Sequence, residues 1–270
     1  MPTATARHEV LTSTVEQPRK PRCSTVVPSL FSIVSWGCSG TAWLARALNS
    51  HPDIFCVHGA NHYLQSMRGI APMDGLDYLH VIAAMATGHE AVGDVHGISR
   101  HLIPELRENY GTIFASAVLV RDPLPRVKSQ LALFKAMPET AKWDLSYLDP
   151  LAERLEMSPA SLSQGDRLRL HAFNMLNSIT EEQAVGPIFR IEDLVSQQDT
   201  MDALLAHLSS GRLPSPGWWL DYVQQLPVLN AHRAGDRSNG LSPADLHLLS
   251  RVVTAESKEL YHQLGYFLSE

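Results

Sequence analysis

The stretch that decides the fold is LFSIVSWGCSGTAWLARALNS, residues 30–50. Its first residues, LFSIVS, are mostly apolar and rich in branched side chains, which is typical of a buried strand. A turn with two glycines follows, and residues 40–49 then carry apolar side chains at helical spacing. The stretch therefore predicts a strand, a tight turn and a helix in direct succession.

The predicted turn is suited to binding an anion. Backbone N–H groups and the positive end of the helix dipole converge where a helix begins. Gly37 and Gly40 allow positive φ angles and a close approach of the ligand, and Ser39 and Thr41 add hydroxyl donors. The turn does not fit the loop of P-loop NTPases, because Thr41 stands where that motif requires lysine.

The composition narrows the class of protein. The 270-residue chain is 44% hydrophobic and 19% charged, which is ordinary for a globular protein. Its net charge of -6 argues against binding nucleic acid, so an anionic ligand must be held by a local cluster of donors. Three cysteines match no zinc spacing, and no segment approaches the roughly 20 apolar residues of a membrane span. We therefore expect a cytoplasmic protein with reduced thiols and no membrane span.

The rest of the chain alternates β-like and helical runs. Strands are predicted at 30–35, 53–58, 91–96, 116–121 and 187–191. Helices are predicted near 40–49, 76–87, 101–109, 124–136, 166–183, 198–209, 217–224 and 242–263. This alternation predicts an α/β fold in which helices flank a central parallel sheet, and ligands of such sheets bind at the carboxyl ends of the strands. We expect one domain over residues 29–270 after a flexible arm over 1–28, with the irregular stretch 138–165 as a lid or pocket wall.

A second candidate anion site lies in SAVLVRDPLPRVKSQLALF, residues 116–134. Arg121 ends a predicted strand, and Ser129 lies on the helix that follows. A guanidinium and a hydroxyl in this arrangement can hold one phosphate from two sides. The turn itself also fits an ordinary helix start, with Asp122 as the N-cap and Pro123 at the first helical position.

Together the two stretches resemble the cofactor signatures of sulfotransferases that use 3′-phosphoadenosine-5′-phosphosulfate (PAPS). SWGCSGTAWL (35–44) is similar to the 5′-phosphosulfate loop of that family, and LVRDPLPRVKS (119–129) is similar to its 3′-phosphate signature. Further segments that are similar to the family in the same order are ALNSHPDIFCVHG (47–59), IFRIEDL (188–194) and the tail 241–266, which ends in Leu-Gly-Tyr. The resemblance covers roughly residues 30 to 268 and implies a three-layer, P-loop-like α/β domain.

The resemblance also implies which residues bind PAPS and its product, 3′-phosphoadenosine-5′-phosphate (PAP), without a metal. The loop positions that it assigns to the cofactor are Gly37, Cys38, Ser39, Gly40, Thr41, Ala42 and Trp43. Trp43 would stack on the adenine. Arg121 and Ser129 would bind the 3′-phosphate, and the basic segment 232–237 offers Arg233 or Arg237 for the same group.

The loop departs from the family pattern at Cys38, where the family has lysine or arginine. The chain has five lysines, and none of them lies in the loop. In one explanation, another cation stabilises the negative charge that develops on the departing phosphate, and Arg46, Lys128 or an arginine of the lid could be this cation. In the other explanation, the protein binds the nucleotide but catalyses sulfuryl transfer poorly. We expect Cys38 to be a neutral side chain, because a phosphosulfate would repel a thiolate.

The base that would deprotonate the acceptor has several candidates. His96 ends a predicted strand and resembles the catalytic histidine segment of the cytosolic enzymes. His58 is its rival, and Asp94 is a third candidate. His58 and His62 also have the spacing of a helical zinc pair, but the glutamate that accompanies such a pair is absent. Because sulfuryl transfer needs no metal, we expect no metal site.

The sequence thus predicts a PAPS-dependent sulfotransferase. It would move a sulfuryl group by direct in-line transfer to a hydroxyl or amine of a small-molecule acceptor, with a histidine as base. The alternatives are a catalytically weak PAPS- or PAP-binding protein of the same fold and, less favoured, a P-loop kinase. The identity of the acceptor, the choice between oxygen and nitrogen, and the oligomeric state are left open by the sequence.

Overall fold

Five parallel strands form the central sheet in the described part of the chain. The computed structural model describes residues 27–59, 75–86, 88–96, 98, 100–217, 219–226 and 241–268. The strands are β1 Ser29–Val34, β2 Ile54–His58, β3 Ala91–Val95, β4 Phe114–Val120 and β5 Ile188–Arg190. They lie in the order β2-β3-β1-β4-β5, and every neighbouring pair is parallel. The predicted α/β fold is confirmed, and each strand lies within two residues of its predicted bounds.

Helices cover both faces of the sheet. The α-helices of the described residues are α1 Thr41–Ser50, α2 Gly75–Met85, α3 Ile103–Tyr110, α4 Pro123–Ala136, α5 Asp149–Arg154, α6 Gln164–Asn174, α7 Ile179–Glu182, α8 Ile191–Ser196, α9 Gln198–Leu208, α10 Trp219–Gln224, α11 Pro243–Val252 and α12 Ala255–Gln263. Alternate side chains of one strand enter opposite cores, as Phe31 and Ile33 of β1 enter one and Leu30 and Val34 the other. The first core packs against α1, α9 and α10, and the second against α2, α3, α4, α6 and α12. The result is the predicted three-layer arrangement.

Two helical predictions differ from the structure. The helix expected over 166–183 is broken by a 3₁₀ turn at Met175–Ser178. The helix expected over 242–263 is two helices, because the Thr254 hydroxyl accepts a hydrogen bond from Ser257 N–H at 3.2 Å and starts a new helix. Helix α8 was not predicted. The stretch 138–165 holds α5, short 3₁₀ turns and the first two residues of α6, and its function as a lid stays a prediction.

The strand order brings together the loops that the sequence singled out. β1 lies between β3 and β4, so the loops that leave their carboxyl ends are neighbours. β2 ends beside β3, with His58 paired in register with Val95. Ligands of doubly wound sheets bind at this edge. None of the described helices is long and apolar enough to cross a membrane. Residues 1–26, most of the predicted arm, lie outside the described residues, and the domain boundary stays a prediction.

Candidate functional site

The loop after β1 has two residues in the left-handed backbone region. Gly40, the N-cap of α1, has φ of 86° and ψ of 15°. The other is Cys38, with φ of 69°. The expectation of a positive φ is therefore confirmed for Gly40 and wrong for Gly37, because the chain turns at the cysteine instead. A non-glycine residue held in this region is strained, and such residues cluster at functional sites.

The N-terminus of α1 has the donors that an anion needs. No side chain caps it, and its first turn contains no acidic residue. The neighbouring Ser39 is 1% exposed, and its hydroxyl has no hydrogen-bond partner in the described part of the chain. Buried hydroxyls are nearly always hydrogen-bonded, so this one is suited to donate to an anionic ligand. The helix dipole favours the same charge at the same place.

Arg121 joins the two candidate anion sites. It follows β4 directly, and its Nη1 donates a hydrogen bond to the carbonyl oxygen of Cys38 at 3.0 Å. A guanidinium is thereby held beside the loop after β1 by a contact to the loop's backbone. Ser129, its predicted partner at the 3′-phosphate, lies about two turns along α4 and is half-buried. The contact between Arg121 and Cys38 brings the two signatures to one side of the molecule.

Two further segments reach this edge of the sheet through Glu192. Its Oε1 accepts a hydrogen bond from Asp122 N–H at 3.0 Å, and its Oε2 accepts one from the Tyr266 hydroxyl at 2.5 Å. The Asp122 carboxylate in turn accepts from Leu124 N–H at 3.0 Å, which confirms the predicted cap of α4. The Glu-Asp-Leu segment and the Leu-Gly-Tyr tail therefore both hold the turn that positions Arg121.

The two candidate bases lie side by side at the ends of β2 and β3. Their rings are stacked, with centroids 6.2 Å apart. His96 is half-buried and has φ of 66°, and its Nδ1 lies 2.5 Å from the carbonyl oxygen of Ser35. Since a carbonyl can only accept, Nδ1 donates, and the neutral ring keeps its basic lone pair on Nε2. His58 is exposed, and its Nε2 lies 3.0 Å from the hydroxyl of Thr41 at the start of α1.

Cys38 and Asp94 are less suited to proton transfer. Burial raises the pKa of the Cys38 thiol, and the charges of Arg126 and Arg121 offset only part of this effect. The cysteine is therefore a neutral thiol near pH 7, as the sequence predicted. Asp94 is 0% exposed within β3 and accepts a hydrogen bond from the Ser32 hydroxyl at 3.0 Å, so an acceptor cannot reach it from solvent.

Trp43 and Trp219 are both part of the core. Trp43 is 6% exposed and packs in the core with Leu44 and Leu48, so little of its ring faces outward. Its stacking on adenine stays a prediction. Trp219 is fully buried, and its Nε1 donates to the Ser50 hydroxyl at 2.8 Å, which ties α10 to α1.

Some of the remaining residues that the sequence assigned to the site lie on described helices, and the others lie outside the described residues. Ala42, Arg46 and Lys128 are half-buried on α1 and α4. Arg233, Arg237 and His62 lie outside the described residues. The structure also buries Arg126 in the first turn of α4, just after the turn that carries Arg121, and the sequence did not single this residue out. An arginine on an amphipathic helix ordinarily faces solvent, yet Arg126 is 3% exposed, and nothing in the local pattern distinguishes it.

Comparisons with known proteins agree with the fold. No protein-family model and no curated protein matches the chain significantly. The chain is similar to the crystal structure of a sulfotransferase from Alicyclobacillus acidocaldarius, with 15% identity and a TM-score of 0.51 over 88% of this chain and 96% of that chain. It is also similar to the mouse sulfotransferase SULT7A1 in complex with PAP, with 10% identity and a TM-score of 0.40 over 73% of this chain and 63% of that chain. The first similarity shows that the chain has the fold of a sulfotransferase.

Proposed function

We propose that the protein is a sulfotransferase that moves a sulfuryl group from PAPS to a hydroxyl or amine of a small-molecule acceptor. The observation that carries the proposal is the contact between Arg121 and the Cys38 carbonyl at 3.0 Å. It joins, at one edge of a sulfotransferase-like sheet, the two segments that resemble the family's two phosphate-binding signatures. A single nucleotide with phosphates at both ends is the ligand that would use both segments.

The residues at the start of α1 fit the phosphosulfate end of PAPS. The Ser39 hydroxyl is buried without a partner, and the first turn of the helix has no competing carboxylate. Such preorganised donors stabilise the charge that builds up on a departing phosphate. Arg121 and Ser129 would hold the 3′-phosphate. Trp43 would contact the adenine, although its burial favours an edge contact over full stacking.

The histidine pair would supply the base. With Nδ1 donating to Ser35, the Nε2 of His96 is the nitrogen that can accept a proton. The acceptor's O–H or N–H proton would pass to this nitrogen as the oxygen or nitrogen bonds to sulfur. The bond from sulfur to the phosphate oxygen breaks at the same time, and PAP leaves with that electron pair. His58, bonded to Thr41 beside the loop, is the alternative base or a second donor to the sulfuryl group.

The competing reading is a protein that binds PAP and transfers sulfuryl groups slowly. The neutral thiol of Cys38, at the position of a cationic family residue, favours this alternative. Both readings predict nucleotide binding, and only one predicts turnover. A kinase reading has no specific support in the described residues, because the loop offers no lysine for ATP phosphates.

Calorimetric titration with PAP tests the proposal directly. We expect PAP to bind more tightly than adenosine 5′-phosphate and than ATP with magnesium. Arg121→Ala should weaken PAP by about 10- to 100-fold, the usual effect of losing a hydrogen bond to a charged group, and should weaken adenosine 5′-phosphate much less. The exposed Arg154→Ala on α5 is the matched control. Equal losses for both nucleotides would refute the 3′-phosphate assignment.

Turnover is then tested by incubating the enzyme with PAPS and a panel of hydroxylated and amine acceptors, with PAP release as the readout. We expect His96→Ala to lower the rate by roughly 100-fold or more while PAP affinity is retained. His58→Ala, examined alongside it, should have the smaller effect. If the order is reversed, His58 is the base. If no acceptor yields PAP although PAP binds, the binding-protein alternative is correct.

A further inference from the structure

Two contacts join the connection after β1 to the connection after β3. The first is the hydrogen bond from His96 Nδ1 to the carbonyl oxygen of Ser35, at 2.5 Å. The second lies a few residues further along both connections, where the guanidinium carbon of Arg100 is 5.2 Å from the centroid of the Trp36 ring. A guanidinium within about 6 Å of an indole face is attracted by the ring. The chain between the two contacts is short on both sides, so the contacts close a small ring that includes the candidate base.

A third segment also contacts Arg100. Its Nη2 forms an ion pair with Oε2 of Glu181, which lies on α7. The side chain of Arg100 is 19% exposed, whereas that of Glu181 is 60% exposed. An ion pair with so exposed a partner is screened by solvent and contributes little by itself. Since Trp36 is half-buried, we expect the contact with its ring to hold Arg100 more firmly than the ion pair does.

The backbone at His96 needs support of this kind. Its φ of 66° lies in the left-handed region, which is unfavourable for a residue with a side chain. Residues strained in this way persist only where the surrounding structure fixes them. His96 N–H donates a hydrogen bond to the carbonyl oxygen of Ile33 at 2.9 Å, which holds His96 to the end of β1. The contact between Arg100 and Trp36 holds the chain that follows His96 to the same connection.

The same contact acts on the group that orients the imidazole. The Ser35 carbonyl belongs to the planar peptide unit that links Ser35 to Trp36, so a displaced Trp36 would displace this carbonyl as well. The Ser35 hydroxyl donates to the carbonyl oxygen of Leu119 at 2.8 Å and fixes one end of the unit. The packing of the Trp36 ring against Arg100 fixes the other end. The position of the Ser35 carbonyl in turn decides which ring nitrogen of His96 carries the proton.

We propose that Arg100 is a positioning residue that, by packing on Trp36, keeps the Ser35 carbonyl within reach of His96 Nδ1 and so leaves Nε2 free to accept a proton. The inference rests on the proposed function for the role of His96 as the base. It accounts for an arginine whose side chain is mostly buried although its ion-pair partner is exposed. A guanidinium suits this task because its plane can stack on an indole while its edge keeps an ion pair.

The first test determines the tautomer of His96 without any ligand. Nitrogen-15 NMR of the imidazoles, at a pH high enough to keep the histidines neutral, reports which ring nitrogen carries the proton. A His96→Gln protein identifies the His96 signals among those of the 13 histidines. In the parent protein we expect the proton on Nδ1. Arg100→Met should lower the ratio of the Nδ1–H form to the Nε2–H form by at least about twofold, since a cation–π contact is worth a factor of about 2 to 30 in an equilibrium. A folded Arg100→Met protein with the parent's ratio would overturn the inference.

Variants of Trp36 alter the same contact from the other side, and they decide the question if Arg100→Met does not fold. Trp36→Leu removes the ring and should shift the tautomer ratio as Arg100→Met does, whereas Trp36→Phe keeps a ring face and should shift it less. Glu181→Gln, which removes only the ion pair, should also have a smaller effect than Arg100→Met. Arg154→Met, on the surface, should leave the ratio unchanged. Equal ratios in Trp36→Leu and Trp36→Phe would show that the stacked ring does not position the Ser35 carbonyl.

Measurements of turnover separate this inference from the proposed function. If the parent protein transfers a sulfuryl group from PAPS, Arg100→Met should lower kcat by about 2- to 30-fold and retain PAP affinity, because the donors at the start of α1 are unchanged. A shifted tautomer with an unchanged kcat would show that His96 is not the base, and the inference would be wrong. If the parent protein sulfates no acceptor, the proposed reaction is wrong, and the tautomer ratio still decides whether Arg100 positions His96.

Discussion

Two glycines of one loop provide a sharp test of the site geometry. Gly40 has φ of 86°, and a Cβ built on it would lie 2.9 Å from Ile191 Cγ1. Gly37 does not have a positive φ, and a Cβ built there would meet no atom within 4 Å. We therefore expect Gly40→Ala to be strongly destabilising and Gly37→Ala to be tolerated, although the two residues are three positions apart in the same turn.

The magnitude follows from two separate costs. An alanine in the left-handed region costs about 1–2 kcal/mol, and forcing a methyl group against a packed side chain such as Ile191 costs about 1–3 kcal/mol. Alanine also restricts the unfolded chain, which returns about 0.4–1 kcal/mol to the folded state. The net loss for Gly40→Ala is roughly 2–4 kcal/mol. Gly37→Ala has only the last effect and should change stability by less than about 1 kcal/mol.

Urea denaturation of both variants and the parent protein measures the free energy of unfolding. Titration of the folded proteins with PAP measures the nucleotide affinity of the site. Gly40→Ala should lose both stability and PAP affinity, because the N-cap of α1 must move to relieve the contact. Gly37→Ala should retain both. Equal stabilities of the two variants would show that the chain does not turn at residue 40 as described, and the anion site built on that turn would fall with it.

Three further changes test the sheet, the network around the site and the buried carboxyl. Gly93→Ala should prevent folding or lower the free energy of unfolding by more than about 3 kcal/mol, because the added methyl group would overlap the carbonyl oxygen of Phe31 on the neighbouring strand. Soluble yield and circular dichroism measure the outcome. Tyr266→Phe should cost about 1–3 kcal/mol in urea, since Glu192 loses a buried donor at 2.5 Å; a loss no larger than that of an exposed tyrosine would refute this role. Burial raises the folded-state pKa of Glu182 above its ordinary value of 4.5, so its contribution to stability is present below pH 4.5 and is lost as pH rises through the folded pKa. Glu182→Gln should flatten that part of the profile of unfolding free energy against pH, and an unaltered slope would contradict it.

Much of the fold could be predicted from local patterns in the sequence. The five strands of the described residues were all predicted, because each is a short apolar run bounded by turn residues, and alternation with helices then implies a parallel sheet. The ends of the helices were harder to predict from the sequence. The predicted helix over 242–263 divides at Thr254, where one hydroxyl competes with the helical pattern. The two turns predicted to bind anions were singled out because glycine, arginine and hydroxyl residues lie at strand ends there, and their binding of an anion stays a prediction.

The sequence by itself determined the order of the elements, the location of the loops at strand ends, and the resemblance on which the proposal of PAPS as the ligand rests. Only the tertiary structure decided that Cys38, and not Gly37, turns through positive φ, and that Arg121 meets the loop 83 residues away. It alone showed Arg126 to be buried. The physical reason is that secondary structure follows from side chains a few residues apart, whereas burial, backbone strain and the reach of a charge depend on groups that packing brings together from distant parts of the chain.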